Sequence, residues 1–303
     1  MSEVIPAGPA PVLLIIDGHA YAYRAFHAIR SLNGPDGAPT NAIFGFVKMT
    51  LKMINVLKPT HLLVVWDAGL AAERMAILPE YKSTRPPTPE GLERQFPELL
   101  AWLAAARIAS WQREGTEADD WIGTYAQRAD QAGFRTIIAS SDKDFMQLVS
   151  DRVGIFNPND KTEKIWTAAD VEAKTGVLPE RIVDWLSLIG DAVDNIPGVP
   201  GVGPKTATDL LKRFGTAESV LTRLMEIKAD KLRADLLGAA QNVRRNQEMI
   251  RLQMNLEGGP ELAALALGDP DKPQLRELYR RYGFKGLLAE ISDEPPLTQS
   301  ALF

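Results

Sequence analysis

The sequence has 303 residues, of which 45% are hydrophobic, enough for one large domain or two coupled domains. It has no cysteine and only three histidines, which excludes disulfides, thiolate metal sites and a histidine-rich zinc site, so any metal would be held by oxygen. The net charge of −5 at first argues against a nucleic-acid partner. Apolar runs fall far short of the roughly 20 residues of a membrane span. Residues 1–11 lack a basic signal-peptide region, so we expect a cytoplasmic protein.

Three continuous apolar runs have the pattern of strands buried on both faces: "VLLIID" at 12–17, "HLLVVWD" at 61–67 and "RTIIASSDKD" at 135–144. Helical patterns over 20–29, 41–57, 92–106 and 119–132 alternate with them. This alternation predicts an α/β fold with a central, mostly parallel sheet flanked by helices. Each apolar run ends in aspartate, at the edge of a parallel sheet where ligands gather.

The connection at 68–91 is long and proline-rich without a clear period, which is typical of a functional or disordered segment. From residue 168 the patterns predict helices over 168–175, 179–189, 204–214, 217–227 and 231–254, with no strand. We therefore expect an α/β core over 1–167, a helical region over 168–291 and a tail over 292–303.

Acidic residues gather at the ends of the predicted strands and at two helix starts. Each cluster has a purely structural alternative. Thr116 and Asp119 could form a capping box, Asp142 could cap a helix over 145–149, and Asp191 with Asp194 could be a solvated helix edge. The complete set is Asp17, Asp67, Glu117, Asp119, Asp120, Asp142, Asp144, Asp191 and Asp194.

Nine carboxylates at one end of one sheet would repel one another and take up protons unless cations lay between them. Mg²⁺ prefers oxygen ligands, and nine acids exceed what one Mg²⁺ would use. The pattern therefore favours two divalent cations with an outer shell, an arrangement that hydrolyses phosphodiesters.

The stretch "GDAVDNIPGVPGVGPKTA" at 190–207 leads from two of these acids into a glycine-rich turn, and Lys205 follows in the next helix. Such a turn between helices can bind a DNA phosphate through backbone N–H groups, although a plain helix–helix turn is the alternative. Residues 203–252 hold ten basic and six acidic residues, and without the nine clustered acids the net charge would be +4. The charge argument against DNA therefore fails. Tyr81, Lys82 and Arg85, in "EYKSTRPPTP", suit single-stranded nucleic acid, with an ordinary surface loop as the alternative.

In order and spacing, these motifs resemble the 5′-nuclease domain of bacterial DNA polymerase I, in the flap endonuclease family. The resemblance covers about 12–291 and rests on "IIDGHAYAYRAFHA", "VVWDA", "YKSTRPPTPE", "EADD", "SDKDFMQL" and the stretch at 190–207. It implies a helical arch at about 68–97 and a helix–hairpin–helix element at about 184–214. It also implies a Mg²⁺- or Mn²⁺-dependent 5′-3′ exonuclease and 5′-flap endonuclease with two metal ions per site, acting in primer removal and repair.

The resemblance also implies roles for individual residues. One metal would lie with Asp17, Asp67, Glu117 and Asp119, and the second with Asp142, Asp144 and Asp191, with Asp119 shared and Asp120 and Asp194 in the outer shell. Catalytic roles fall to Lys82 and Arg85 at the base of the arch together with Asp17, Asp119 and Asp142. DNA contacts fall to Arg24, Tyr81, Lys82, Arg85, Gly198, Gly201, Gly203, Lys205 and Thr206, and a K⁺ site to the carbonyls of Val199 and Val202.

The implied partners are 5′-flap, nicked or forked duplex DNA, single-stranded 5′ ends and RNA primers, for a monomer at the nucleoid. The sequence departs from many relatives around Arg74, where Glu73 and Met75 stand in place of an aromatic residue and a histidine. Whether the chain stands alone or is the front of a polymerase stays open. Alternative functions are a metal-dependent phosphatase and a non-catalytic helix–hairpin–helix DNA-binding module, which cleavage of a 5′-flap duplex would distinguish.

Overall fold

The computed structural model describes residues 10–157, 160 and 162–291, so the predicted tail at 292–303 lies outside the described residues. The strands are β1 Val12–Asp17, β2 His61–Val65, β3 Ala109–Trp111, β4 Arg135–Ala139, β5 Val153–Phe156, β6 Ile165–Trp166, β7 Gly190–Asp191 and β8 Ile196–Pro197. The α-helices are α1 Gly18–Ala28, α2 Asn41–Leu57, α3 Ala72–Ile77, α4 Glu90–Glu93, α5 Phe96–Ala105, α6 Ala118–Gln131, α7 Ala168–Thr175, α8 Ile182–Ile189, α9 Pro204–Phe214, α10 Ala217–Thr222, α11 Asp230–Gly238, α12 Ala240–Ile250, α13 Lys272–Tyr282 and α14 Lys285–Ile291. Short 3₁₀ helices cover Asp144–Leu148, Pro179–Arg181, Leu224–Glu226 and Leu262–Leu265.

The predicted mostly parallel sheet flanked by helices is confirmed. The described residues fall into two compact units that are discontinuous along the chain. The first unit comprises residues 10–17, 65–87 and 112–259, and the second comprises 18–64, 88–111 and 260–291. None of the helices in the described part of the chain is long and apolar enough to cross a membrane.

In the first unit the strand order is β1-β4-β5-β6, with only β6 antiparallel. Leu13, Leu14, Ile15 and Ile16 are fully buried, as expected for a parallel strand covered on both faces. The register pairs Ile16 of β1 with Ala139 of β4. The carboxyl ends of these two strands therefore lie side by side, and the residues that follow each strand meet at one edge, which we call the carboxylate edge.

The helical part of the first unit surrounds the glycine-rich turn. Helix α12 packs on α8, and buried Asn246 of α12 donates hydrogen bonds to the carbonyls of Ser187 (3.1 Å) and Pro197 (2.7 Å). The backbone crosses itself so closely here that a Cβ on Gly198 would lie 2.2 Å from the carbonyl oxygen of Ile189. Glycine is therefore required at this crossing, and it fixes how the turn leaves α8.

The second unit contains β2, β3, α1, α2, α4, α5, α13 and α14. Buried Gln95 accepts hydrogen bonds from the backbone of Ala42 and Ile43 at the start of α2 and donates one to the side chain of Asn41. The indole of Trp102 on α5 donates to the hydroxyl of Tyr279 on α13 at 3.1 Å. These contacts hold the helices of this unit together.

Several of the helix and strand boundaries predicted from the sequence are wrong. The predicted helix over 231–254 is two helices, α11 and α12, because the chain breaks at Gly238–Ala239, and the second ends at Ile250, where Arg251 turns extended. Residues 190–191 and 196–197 form a small antiparallel pair where no strand was expected, because two-residue strands carry no hydrophobic period. The connection at 68–91 contains α3 and a hydrogen-bonded turn rather than structureless chain.

Candidate active site

The carboxylate edge is built by hydrogen bonds from the backbone and from one serine. Asp17, at the end of β1, is buried and accepts a hydrogen bond from Ser140 Oγ (3.0 Å), which in turn accepts one from the backbone N–H of Asp142 (3.1 Å). Asp67 Oδ1 accepts the backbone N–H of Ala118 at 2.8 Å, in the first turn of α6. The ends of the strands are thus tied to the turns that carry the other acids.

The capping-box interpretation of Thr116 is wrong. The residue before α6 is Glu117, and the Thr116 hydroxyl donates to the carbonyl of Arg113 (2.7 Å) and accepts from the indole of Trp121 (2.8 Å). Helix α6 begins at Ala118, and the Ala118 N–H is bound by Asp67 Oδ1 rather than by Thr116. The acids of this cluster are therefore not explained by helix capping.

Asp142 is not the N-cap that the sequence allowed, because the N-cap is Lys143 and no side chain caps this helix, but Asp142 does bind the backbone at the start of the turn. Its Oδ1 accepts the backbone N–H of Asp144 at 2.8 Å, at the start of a 3₁₀ helix over Asp144–Leu148. Asp144 points its side chain inward, and its Oδ1 is buried without a hydrogen-bond partner. A buried carboxylate oxygen with no donor is costly unless a cation neutralises it.

Asp191 and Asp194 are both buried, so the interpretation as a solvated helix edge is wrong. Asp191 accepts the N–H of Val193 (3.0 Å) and pairs with Lys143 (3.2 Å). Asp194 Oδ1 lies 2.6 Å from Arg85 Nη2.

Mutual repulsion divides the carboxylates at this edge into two overlapping groups. Burial and the charges of Asp142, Asp17 and Asp67 raise the pKa of Asp119 well above its usual range. Burial and the charges of Asp142, Asp191 and Asp194 do the same to the pKa of Asp144. Desolvation and the charges of Asp194 and Asp191 also raise the pKa of Asp142, although part of that side chain is exposed to solvent. Asp142 belongs to both groups. The first group is Asp17, Asp67, Asp119 and Asp142, and the second is Asp142, Asp144, Asp191 and Asp194.

Glu117 stands apart from this repulsion because positive groups surround it. Its Oε1 lies 2.8 Å from Lys82 Nζ, and its Oε2 accepts hydrogen bonds from Arg74 Nη1 (2.6 Å) and the Tyr81 hydroxyl (3.1 Å). The same guanidinium holds both oxygens of Asp120, at 2.7 and 2.8 Å. Glu117 and Asp120 are therefore balanced by cations of the chain itself.

Lys82 is buried, with its ammonium 4.8 Å from the ring centre of Tyr81 and its backbone in the left-handed region at φ 54°. Burial alone would lower the pKa of Lys82, but the charges of Glu117, Asp119 and Asp194 raise it above its ordinary value, so the ammonium stays charged. The Lys82 N–H donates to the carbonyl of Asp194 at 3.1 Å. The connection after β2 is thereby fastened to the loop at 191–195.

The glycine-rich turn follows directly. Val199 and Val202 are buried, and the Val202 N–H donates to the Val199 carbonyl at 3.0 Å. Gly201, at φ 74°, provides the left-handed residue of this turn. Lys205 is exposed in the first turn of α9, with Thr206 half-buried beside it. Arg24, on α1 in the second unit, is half-buried.

The residues of the carboxylate edge fit a divalent cation. The donors are carboxylate oxygens, three of the carboxyls have raised pKa values, and Asp144 contributes a buried oxygen without a partner. Within the described residues, no three Asp, Glu or His side chains already converge on one point. Carboxylates repel one another over a longer distance than the one at which they share a cation. The raised pKa values are therefore compatible with side chains that do not yet converge on one point.

Sequence reasoning missed Ser140 and Lys143. Ser140 links the ends of β1 and β4, which only the strand pairing brings together. Lys143 had a signal in the sequence, because it is a lone cation inside the acidic run "SDKD" and its partner Asp191 comes from the second acidic run near the glycine-rich turn.

Comparison with known proteins gives matches along most of the chain. The family model of the 5′-3′ exonuclease N-terminal resolvase-like domain matches residues 12–176. The family model of the 5′-3′ exonuclease C-terminal SAM fold matches residues 177–273. A 5′-3′ exonuclease of Aquifex aeolicus is 36% identical over 279 residues, which are 92% of this chain and 94% of that protein. A DNA polymerase I of Bacillus caldotenax is 39% identical over 300 residues, covering 95% of this chain.

The chain spans only 34% of the length of that polymerase. Among solved structures, a complex of the bacteriophage T5 flap endonuclease with DNA and metal ions has a similar fold, with a TM-score of 0.68 at 20% identity over 92% of this chain and 96% of the other. The family model of the N-terminal domain alone matches more than half of the chain, and the Aquifex protein is matched over nearly its whole length. These two matches establish the family of this chain. The chain belongs to the 5′-3′ exonuclease family, to which the matched portion of DNA polymerase I also belongs.

Proposed function

We propose that this chain is a metal-dependent nuclease that hydrolyses DNA phosphodiesters, as a 5′-3′ exonuclease and as a 5′-flap endonuclease. Its family membership supports the reaction class. The observation that carries the proposal is the gathering of acids at the carboxylate edge, where Ser140 links Asp17 to Asp142 and Asp144 Oδ1 is buried without a hydrogen-bond partner. Burial and mutual repulsion raise the pKa values of Asp119, Asp142 and Asp144 there. Such a site is costly to keep in a folded protein unless cations neutralise it.

The cations are two Mg²⁺ or Mn²⁺ ions per site. When bound, they would activate water and stabilise charge on the attacking and leaving oxygens of the phosphodiester. Asp17, Asp67 and Asp119 would hold one, and Asp142, Asp144 and Asp191, with Asp119 shared, the other. Glu117 has both oxygens bound by Lys82, Arg74 and Tyr81, which supports an outer position for it. Asp120 has both oxygens on Arg74 and Asp194 pairs with Arg85, which supports an outer position for these two.

Lys82 and Arg85 would supply positive charge to the phosphate. Lys82 is held at the acids by Glu117, and Arg85, whose side chain is 45% exposed, is held by Asp194. A cation fixed next to the reacting phosphate stabilises charge that grows in the transition state more than in the ground state. Ser140 and Lys143 would keep Asp17 and Asp191 in position.

DNA would be bound through its backbone rather than its bases. The glycine-rich turn offers Gly201 and Gly203 for close backbone approach, while Gly198 holds the turn against the end of α8. Exposed Lys205 and then Thr206 follow at the start of α9. Arg24 would be a further DNA contact, and a K⁺ ion would bind at the carbonyls of Val199 and Val202. Tyr81 is buried with its hydroxyl on Glu117, which supports a role in holding Glu117 and Lys82 rather than in stacking on a base. The T5 relative is a complex with DNA and metal ions, which supports DNA as the partner.

The glycine-rich turn would bind the duplex while the carboxylate edge acts on the strand to be cut. The distance between the turn and the carboxylate edge would then determine which phosphodiester is cleaved. Substrates would be 5′-flap, nicked or forked duplexes, single-stranded 5′ ends and RNA primers. The enzyme would act as a monomer, in primer removal and repair.

Cleavage of end-labelled 5′-flap, 3′-flap and single-stranded DNA in Mg²⁺ or EDTA tests the proposal. We expect cutting near the junction of the 5′-flap in Mg²⁺, none in EDTA and little on the 3′-flap. Binding to the flap without cleavage in either Mg²⁺ or Mn²⁺ would overturn it, as would hydrolysis of a small phosphomonoester with no action on DNA.

A further inference from the structure

Arg74 is a buried arginine whose hydrogen-bonding capacity is already used inside the protein. Only 7% of its surface is exposed. Its Nη1 donates hydrogen bonds to the carboxylates of Glu117 and Asp120. Its Nη2 donates to Asp120 and to the carbonyl of Arg251 (3.5 Å), and its Nε donates to the carbonyl of Met249 at 3.0 Å. All of its nitrogens are therefore engaged, and none is directed at solvent for a ligand.

The partners of Arg74 lie on separate segments of the chain. Asp120 lies in the first turn of α6 and Glu117 just before it, while Met249 and Arg251 are at the end of α12. Arg74 itself is on α3, eight residues before Lys82. The guanidinium thus joins the segment that carries Lys82 to the helix start that carries the acids.

Glu117 is the link between Arg74 and Lys82. Arg74 and Tyr81 fix Oε2 of this carboxylate, and Lys82 binds Oε1. A carboxylate held at one oxygen by a rigid guanidinium presents the other in a defined direction. The position of the Lys82 ammonium therefore depends on where Arg74 holds Glu117.

From this geometry we infer that Arg74 is a positioning residue for the nuclease reaction, which acts through Glu117 on Lys82 and does not bind DNA. The inference rests on the proposed function of the site. The neighbours of Arg74 are not among its contacts: Glu73 is exposed and accepts a hydrogen bond from Gln253 (3.0 Å), and Met75 is exposed.

Lysine cannot replace arginine here. A guanidinium is planar and binds a carboxylate at two points, whereas an ammonium is a single point charge that cannot span Asp120, Glu117 and the Met249 carbonyl together. Arg74→Lys keeps the charge, so it separates the effect of geometry from the effect of charge. Arg74→Gln removes both.

The test measures flap affinity, its salt dependence and the single-turnover cleavage rate for wild type, Arg74→Lys and Arg74→Gln. The expected loss is about 10- to 100-fold in rate for both variants, which is the usual scale for removing a residue that orients a ligand or catalytic group. The dissociation constant for the flap in EDTA and the slope of its salt dependence should stay at the wild-type values, because no phosphate contact is lost.

Arg128→Gln is the matched control. Arg128 is a half-buried arginine on α6 that donates to the backbone carbonyls of Leu256 and Gly258 and contacts no carboxylate of the site. Its loss should lower the thermal stability and leave the cleavage rate unchanged. A rate loss in Arg74→Gln without one in Arg128→Gln, at comparable stability, would separate positioning from general destabilisation.

Coupling to Lys82 is the decisive readout. If Arg74 acts through Lys82, the rate loss caused by Arg74→Lys should shrink in a Lys82→Ala background. An undiminished loss in that background would overturn the inference, and so would weaker flap binding with a salt slope reduced by about one phosphate contact. If Arg74→Gln does not fold, Arg74→Lys and Asp120→Asn carry the same test. A wild-type chain that binds the flap and does not cut it would instead refute the proposed function.

Discussion

Nζ of Lys82 lies 2.8 Å from Oε1 of Glu117, and both side chains are buried. The pair places a charged ammonium directly beside a set of carboxylates whose mutual repulsion raises their pKa values. Buried ion pairs contribute little net stability when desolvation is counted, so a role in the chemistry is the better reason for this one.

Lys82→Ala should lower the single-turnover cleavage of a 5′-flap by about 10²-fold or more, taking the loss of an oxyanion-hole donor as the scale. Flap affinity should fall far less, because the ammonium acts mainly in the transition state. Arg85→Ala should act in the same direction, and the double variant should be less than additive if both residues serve one phosphate.

Lys164→Ala is the control for this comparison, since that exposed lysine pairs with Asp170, which is not one of the site acids. Equal drops in affinity and rate, with the rate at saturating enzyme unchanged, would mean that Lys82 and Arg85 only bind substrate.

Asp191→Asn should tighten flap binding in EDTA, because it removes one negative charge from the surface that faces the phosphates. Asp151→Asn makes the same charge change at an exposed position outside the acidic clusters and should have a smaller effect. Fluorescence anisotropy on one flap duplex measures both. Equal effects of the two substitutions would indicate that Asp191 does not face DNA.

Without metal, the carboxylate edge should make stability depend on pH. The folded state raises the pKa values of Asp119, Asp142 and Asp144 above their ordinary value of 3.8, so between pH 4 and the raised values it binds more protons than the unfolded chain. The free energy of unfolding in EDTA should therefore fall as the pH rises through that range. Mg²⁺ should restore it.

Asp144→Asn should consequently raise the free energy of unfolding in EDTA at pH 7, as measured by urea denaturation. Asp170→Asn should instead lower the free energy of unfolding at pH 7. Hydrogen bonds from Lys164 and Thr167 lower the pKa of Asp170 in the folded state, so its carboxylate stabilises the fold at any pH above the pKa of an unfolded aspartate. A wild-type unfolding free energy in EDTA that rises between pH 5 and pH 8 would contradict this account.

Gly203→Ala gives a specific test of backbone approach at the turn. A Cβ on Gly203 would meet nothing within 4 Å, and its φ of −95° suits any residue, so the fold should tolerate alanine. If DNA approaches the backbone there, the methyl group should weaken binding of the duplex arm and leave binding of single strands unchanged.

Lys205→Ala should reduce the salt slope of duplex binding by about one phosphate contact. Gly201→Val should also weaken duplex binding, in this case because Gly201 has a φ of 74° that valine adopts only with strain. Wild-type duplex affinity in Gly203→Ala and an unchanged slope in Lys205→Ala would argue that the turn only connects two helices.

The fold class and the gathering of acids could be predicted because both follow from local patterns. Apolar runs such as 12–17 predict buried parallel strands, and parallel strands place their carboxyl ends together, which brings Asp17 close to Asp142. Helix bounds were accurate where the apolar period is unbroken, as in Asn41–Leu57, and wrong where the chain breaks without a strong signal, as at Gly238–Ala239.

The pairing inside the site could not be predicted, because it depends on which segments pack together. Nothing in the spacing of Arg74 indicates that it binds Glu117 and Asp120, more than 40 residues away, or the backbone at the end of α12. The sequence suggested instead that Lys82 lies on a loosely structured loop, whereas it is buried and fastened to Asp194.

The most direct test of the account is the comparison of wild type with Asp142→Asn on one 5′-flap substrate, measuring the single-turnover rate in Mg²⁺ and the dissociation constant in EDTA. In the proposed site Asp142 would hold one of the two metal ions, and hydrolysis needs both ions, so its neutralisation should stop cleavage. The account predicts that cleavage is abolished while flap binding is kept or tightened. Wild-type turnover by Asp142→Asn in Mg²⁺ would contradict it.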